Sequence, residues 1–177
     1  GAHVGLQPAL IAEVAEHATG IDLTPAMIER AQSLQAEKNL TNVTWQTGDV
    51  ADLPYPDESF TIVSSRYAFH HMLEPECVLA EMKRVCKAGG KLMLIDVMSS
   101  PDPNQADAFN QMERLRDPSH VRALKLDEMR ELFRQIGLGN PRETFYRVEA
   151  ELENALKISF PDEANLLCYG GGQGYGN

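Results

Sequence analysis

The sequence predicts an α/β fold: a doubly wound, mainly parallel sheet formed as one domain over residues 1–177. Three observations lead there. Short apolar runs of strand length alternate with segments of helical periodicity, the pattern of parallel strands joined by helical crossovers. A chain of 177 residues can enclose one hydrophobic core, and no internal repeat or Pro/Gly-rich linker divides it. The hydrophobic fraction of 43% and the charged fraction of 24% are those of an ordinary globular domain.

Each element has its own signal. "ATGIDL", Ala18 to Leu23, is a short buried strand. Thr24 suits a helix N-cap and Pro25 the first helical position, where its missing N–H costs nothing. Met27, Ile28, Ala31 and Leu34 then share one helix face. "NVTWQT", Asn42 to Thr47, and "SFTIVSSRY", Ser59 to Tyr67, are the second and third strands. Val78, Leu79, Met82 and Val85 recur at helical spacing, and Gly89 or Gly90 is expected to end that helix in a left-handed conformation. "KLMLIDVM", Lys91 to Met98, is the fourth strand. Helices follow over Ala106 to Leu115, bearing Ala106, Phe109 and Met112, and over Asp127 to Ile136, stopping at Gly137. "ETFYRVEA" is expected to be an edge strand and "LENALKISF" a helix.

Charge and composition exclude several functions. A formal net charge of −10 repels phosphate backbones, so nucleic acid is not an expected partner. No apolar run approaches the roughly 20 residues that span a bilayer, and the N-terminus lacks the basic and apolar regions of a secretory signal. Cys77, Cys86 and Cys168 have no metal-type spacing, and they are expected to be reduced thiols packed as small hydrophobes. A cytoplasmic location is the expectation, and no metal is expected.

A parallel sheet binds its ligands outside the carboxyl ends of its strands. The residues there are Asp22-Leu23, Gly48-Asp49-Val50, Arg66 to His71, and Asp96. A carboxylate at Asp22 suits the paired hydroxyls of a ribose, and one at Asp49 an exocyclic amine. Either alone is equally a turn or cap residue. His70 and His71 follow the third strand, and His120 sits in "RLRDPSHVR", where Arg116 or Arg122 could hold a carboxylate or pair with Asp117. The same stretch also reads as a plain turn closed by Asp117 and Pro118.

Together, "GIDLTPAMIERAQ", the stretch from "NVTWQTGDVADLPYPDESF" to "GGKLMLID", and "RLRDPSHVR" closely resemble the class I S-adenosylmethionine-dependent methyltransferases. The similarity is nearest to the small-molecule branch that includes the ubiquinone/menaquinone-biosynthesis enzymes, and it runs from about Gly20 to about Gly137. The resemblance implies a Rossmann-like sheet, S-adenosyl-L-methionine as cofactor, and a small-molecule acceptor methylated at oxygen or carbon. It implies that Asp22 holds the ribose with Leu23 against the adenine, and that Asp49 and Val50 contact the adenine edge. Arg66, Tyr67 and Ala68 would line the wall beside the methionine moiety. A sulfonium methyl is already activated, so a general base is needed only when the acceptor must lose a proton; His71 and His120 are the candidates. The alternative is a methyltransferase-like binding or scaffold protein without turnover.

The resemblance departs at the front. Such enzymes begin with a strand and a glycine loop, and here 21 residues precede Asp22, among which "ALIAEVAEHA" supplies the helix that the resemblance implies. "LLCYGGGQG", Leu166 to Gly174, fits that pattern with Cys168 in the acidic place and Gly170, Gly172 and Gly174 in the glycine places. The expectation is a circularly permuted sheet. The alternatives are an edge strand, a Gly-rich tail, a sheet lacking its first strand, or a strand exchanged within a homodimer. A dinucleotide fingerprint fails, because the sixth position from Gly170 is Tyr175 and from Gly172 is Asn177.

Overall fold

A computed structural model describes residues 12–147. Within them, four strands form two parallel pairs. Strand β1 (Ala18–Asp22) pairs with β2 (Val43–Thr47), in register from Ala18 opposite Val43 to Asp22 opposite Thr47. Strand β3 (Phe60–Arg66) pairs with β4 (Cys86–Ile95). Helices α1 (Pro25–Glu37), α2 (Pro75–Val85), α3 (Pro103–Arg116) and α4 (Leu126–Gln135) complete the described elements, with a 3-10 turn at Phe69–His71. The parallel α/β architecture is therefore as the sequence predicts.

Local chemistry explains most boundaries. Thr24 occupies the N-cap of α1 and Pro25 opens the helix, but the Thr24 side chain caps nothing. Asp22 Oδ1 instead accepts the Thr24 N–H at 2.7 Å, so the strand's last carboxylate shapes the turn into the helix. Ile28 and Ala31 are buried beneath α1. Near the end of the helix, Gln35 ties it to β2: its Nε2 donates to Leu40 O at 2.9 Å and its Oε1 accepts Trp45 Nε1 at 2.6 Å. On α3 the Asp102 carboxylate accepts from the N–H groups of Asn104 and Gln105, and Pro103 follows at the first position, so the helix begins three residues before the predicted Ala106.

The third and fourth strands depart from expectation at one place. Helix α2 does not run to a glycine; it ends at Val85, and Cys86 turns directly into extended backbone. Pairing then shifts, from Phe60 opposite Cys86 to Ile62 opposite Lys91, so β4 carries extra residues as a bulge. Gly89 serves this bulge at φ +76° rather than a helix cap. Gly90 sits where the strands rejoin: a Cβ there would lie 2.8 Å from Lys87 O and 2.9 Å from Thr61 O. Helix α4 ends as predicted, with Gly137 at φ +74° and the Leu138 N–H bonded to Phe133 O at 3.0 Å.

The main core joins Phe69, Val78, Leu79, Met82 and Phe133, with Val50, Ala51, Val63, Leu92 and Leu94 packed against it. Leu79 is wholly buried, worth about 1.5–3 kcal/mol. Because Val50 and Phe69 lie just beyond the ends of β2 and β3, this core also seats the segments that follow those strands. Three expectations change. Met112 is exposed, and Asn110 takes its place on the buried face of α3. Cys77 is an exposed free thiol, not a core residue, while Cys86 is free and half-buried. Residues 143–147 form no strand, so the described part of the expected edge strand is irregular. At the front, Ala12 is helical and residues 13–16 turn toward β1, while the start of the expected N-terminal helix lies outside the described residues. The rest of the edge strand, the expected helix over 152–160, Cys168 and the Gly-rich tail also lie outside them. Among the described residues, no helix is long and apolar enough to cross a membrane.

Candidate functional site

All four strands deliver a polar group at or just past their carboxyl ends. Asp22 closes β1, is buried, and spends Oδ1 on the Thr24 N–H. Asp49 follows β2 by two residues, is exposed, and spends Oδ1 on the Ala51 N–H at 2.9 Å. Each carboxylate thus fixes its own turn with one oxygen. Gly48, between β2 and Asp49, passes so close to β1 that a Cβ would stand 2.9 Å from Ile21 Cδ1. Leu23 projects beside this pair at 68% exposure.

The β3 tip is more constrained. Tyr67 is held at φ +52°, a region that bulky side chains rarely adopt and that recurs at functional sites. Its N–H donates to Ile95 O at 2.8 Å, its ring lies 4.4 Å from the Arg66 guanidinium, and its hydroxyl meets that of Tyr146 at 2.8 Å. Ala68 then leads into the 3-10 turn that places Phe69 in the core and aims two histidines toward α3. A cleft of ≈ 1340 Å³ runs along β4, with Tyr67, Asp96, Phe109 and Tyr146 among its walls.

Three histidines from two distant stretches converge. The rings of His70 and His71 are 4.1 Å apart, with His120 at 5.3 Å from the first and 6.4 Å from the second. Their tautomers follow from their partners. The buried Asp96 carboxylate faces His70 Nδ1 at 2.5 Å and also accepts from the N–H groups of His70 and Val97, so His70 Nδ1 carries a proton. His71 Nδ1 lies 3.0 Å from the Ser119 carbonyl, which only accepts, so its lone pair is on Nε2. Asn110 Oδ1 already accepts the Ala123 N–H at 2.7 Å, so His120 Nε2, 2.8 Å away, is a donor as well. The lone pair of His120 is therefore on Nδ1, a buried atom with no hydrogen-bond partner.

Electrostatics favour the neutral form of two of these rings, His71 and His120. Burial and then the neighbouring His70 hold His71 below the usual histidine range. The same two causes, in the same order, push His120 down to about 4. At neutral pH the cluster therefore offers proton acceptors rather than donors, at His71 Nε2 and His120 Nδ1. Among the described residues, no group of three or more His, Cys, Asp or Glu side chains is placed to hold a metal ion.

The predicted residues fall into three sets. Asp22, Leu23, Asp49 and Val50 gather at the β1–β2 tips; Arg66, Tyr67, Ala68, His71 and His120 gather at the β3–β4 tips. Gly170, Gly172 and Gly174 lie outside the described residues. Asp117 closes the "RDPSH" turn by accepting from the N–H and hydroxyl of Ser119, as the plain-turn reading has it. Arg116 bonds Glu113 and Arg122 bonds Glu128. Asn110 was missed, and its signal was a polar residue four positions after the buried Ala106, on the same helix face.

Known proteins are similar to this chain. Residues 1–94 match the methyltransferase domain family. An uncharacterized methyltransferase of Bacillus subtilis, YcgJ, is 38% identical over 133 residues, covering 75% of this chain and 53% of its own. Its crystal structure superposes with a TM-score of 0.72 at 36% identity, covering 76% of this chain and 57% of that one. The 27-O-demethylrifamycin SV methyltransferase of Amycolatopsis mediterranei is 32% identical over 121 residues, covering 68% of this chain and 44% of its own. The ubiquinone/menaquinone biosynthesis C-methyltransferase of Roseobacter denitrificans is 30% identical over 95 residues, covering 53% of this chain and 38% of its own. The chain spans about half the length of the first two of these curated relatives, and less of the third.

Proposed function

Because this chain belongs to the methyltransferase domain family, we propose that it binds S-adenosyl-L-methionine and transfers the methyl group to an oxygen or carbon of a small molecule. The observation that carries the reading is the pair of carboxylates at the tips of adjacent parallel strands, each with one oxygen locked by its own turn. Asp22 accepts from the ribose hydroxyls. Asp49 accepts from the adenine amine while the Val50 N–H serves a ring nitrogen, and Leu23 covers the adenine face. Arg66, Tyr67 and Ala68 form the wall beside the methionine end.

Bound there, the cofactor supplies a sulfonium methyl that needs alignment more than activation. The chain's own chemistry lies in the proton. His71 Nε2 accepts it from the acceptor group, while the buried His120 and, through His70, Asp96 orient the cluster. Two of the relatives support the choice of acceptor atom, since one is named as an O-methylating enzyme of rifamycin and another as a C-methyltransferase.

Calorimetry with S-adenosylmethionine and S-adenosylhomocysteine tests the reading. Both ligands should bind the wild type. Asp22→Ala should weaken them at least about 100-fold, because hydrogen bonds to a charged acceptor contribute about 1.5–3 kcal/mol each. No heat with either ligand, or equal affinity in the variant, overturns it.

A further inference from the structure

We propose that Glu81 and Arg84 form a positioning pair for Asp49, gripping the loop that aims its carboxylate at the adenosine. The proposal rests on the reading of Asp49 given above and adds two residues to it.

The chain of contacts is continuous. Asp49 closes a turn in which Ala51 N–H donates to its side chain and Asp52 N–H to its carbonyl at 3.3 Å. The next residue, the buried Leu53, is held at both backbone groups: its N–H donates to Glu81 Oε2 and its carbonyl accepts from Arg84 Nη2, each at 2.9 Å. Arg84 Nη1 donates to Tyr55 O at 2.8 Å and to Asp57 Oδ1 at 2.9 Å, and the Glu58 N–H returns to Arg84 O at 2.9 Å. Glu81 meets the guanidinium with both oxygens, at 2.6 Å each, which fixes the fork.

An ion pair at this exposure contributes little to stability. What distinguishes this one is where its remaining bonds go: to a loop with no strand or helix of its own, immediately after the adenine-facing carboxylate. Helix α2 is itself anchored by Val78, Leu79, Met82 and Val85, so the clamp refers the loop to the most deeply buried helix of the described fold. Lysine cannot replace Arg84, because a single ammonium does not present the planar fork.

A double-mutant cycle read by calorimetry with S-adenosylmethionine tests this. Arg84→Ala and Arg84→Lys should each weaken binding about tenfold, and the milder Glu81→Gln about threefold. Added to Asp49→Ala, Arg84→Ala should cost less than a further twofold; added to Asp22→Ala, it should cost its full tenfold. Arg134→Ala, which breaks an exposed ion pair with Glu131 away from this loop, should leave affinity unchanged. A full tenfold effect of Arg84→Ala in the Asp49→Ala background, or wild-type affinity in Arg84→Lys, overturns the clamp. Wild-type affinity in Asp49→Ala overturns the assignment of Asp49 and the clamp with it, whereas a wild type that binds no cofactor overturns the proposed function itself.

Discussion

At the tips of β1 and β2, Asp49 is exposed and Leu23 projects, while Asp22 is buried, and each carboxylate is tied to the backbone by a single oxygen. At the tips of β3 and β4, most polar groups are packed away. The Asp96 carboxylate is fully shielded, His120 is 3% exposed, and side chains meet each other, His70 on Asp96 and His120 on Asn110. The first pair of strands leaves Asp49 in water, where charge is cheap to keep, and the second buries its histidines, where charge is costly. The difference shows how burial alone sets side chains at neighbouring strand tips apart: it depresses His71 and His120.

That contrast can be broken in several ways. The largest effect is expected at Asp96, whose replacement by Ala deprives three donors of their acceptor. Urea unfolding should show a loss of about 3 kcal/mol or more. Asp22→Ala, by contrast, should cost less than about 1 kcal/mol in stability while forfeiting the cofactor affinity described above. Equal destabilisation by the two variants would erase the distinction between a supporting carboxylate and a grasping one.

A smaller effect should appear on acidification. The folded pKa of His120, about 4, lies below the unfolded value near 6.5. Its contribution is therefore present above about pH 6.5 and is lost as pH falls toward 4, because the unfolded chain takes up the proton first. His71 acts in the same direction. Between pH 6.5 and 5 the wild type should lose roughly 1–2 kcal/mol more than His120→Phe. Parallel pH profiles in thermal melts would show that His120 is charged in the folded state.

Much of the fold was legible because its signals are local. Apolar runs end at Asp22 and just before Asp49, so both carboxylates could be assigned to strand tips without tertiary information. His70 and His71 were equally visible as the residues beyond β3. Their meeting with His120 was not, since it depends on α3 and the following turn folding back across some fifty residues. Asn110, which sets the His120 tautomer, looked like a poor helix residue rather than a buried ligand of the ring. The start of β4 was misplaced because its glycines imitate a helix stop while serving a bulge. The 143–147 segment, patterned like an edge strand, is pinned by side chains instead, through Glu143 to Arg130 and Tyr146 to Tyr67.

The splice at Gly90 reaches further than its own neighbourhood. Side chains alternate sides along a strand, so the count of residues between the bulge and the tip decides which way the final carboxylate faces. Gaining or losing one residue between Gly89 and Asp96 would leave the β1–β2 half untouched, yet turn Asp96 away from His70. A single inserted or deleted codon there would thus uncouple the two strand pairs, breaking the Asp96–His70 contact while the turns at Asp22 and Asp49 stay as they are.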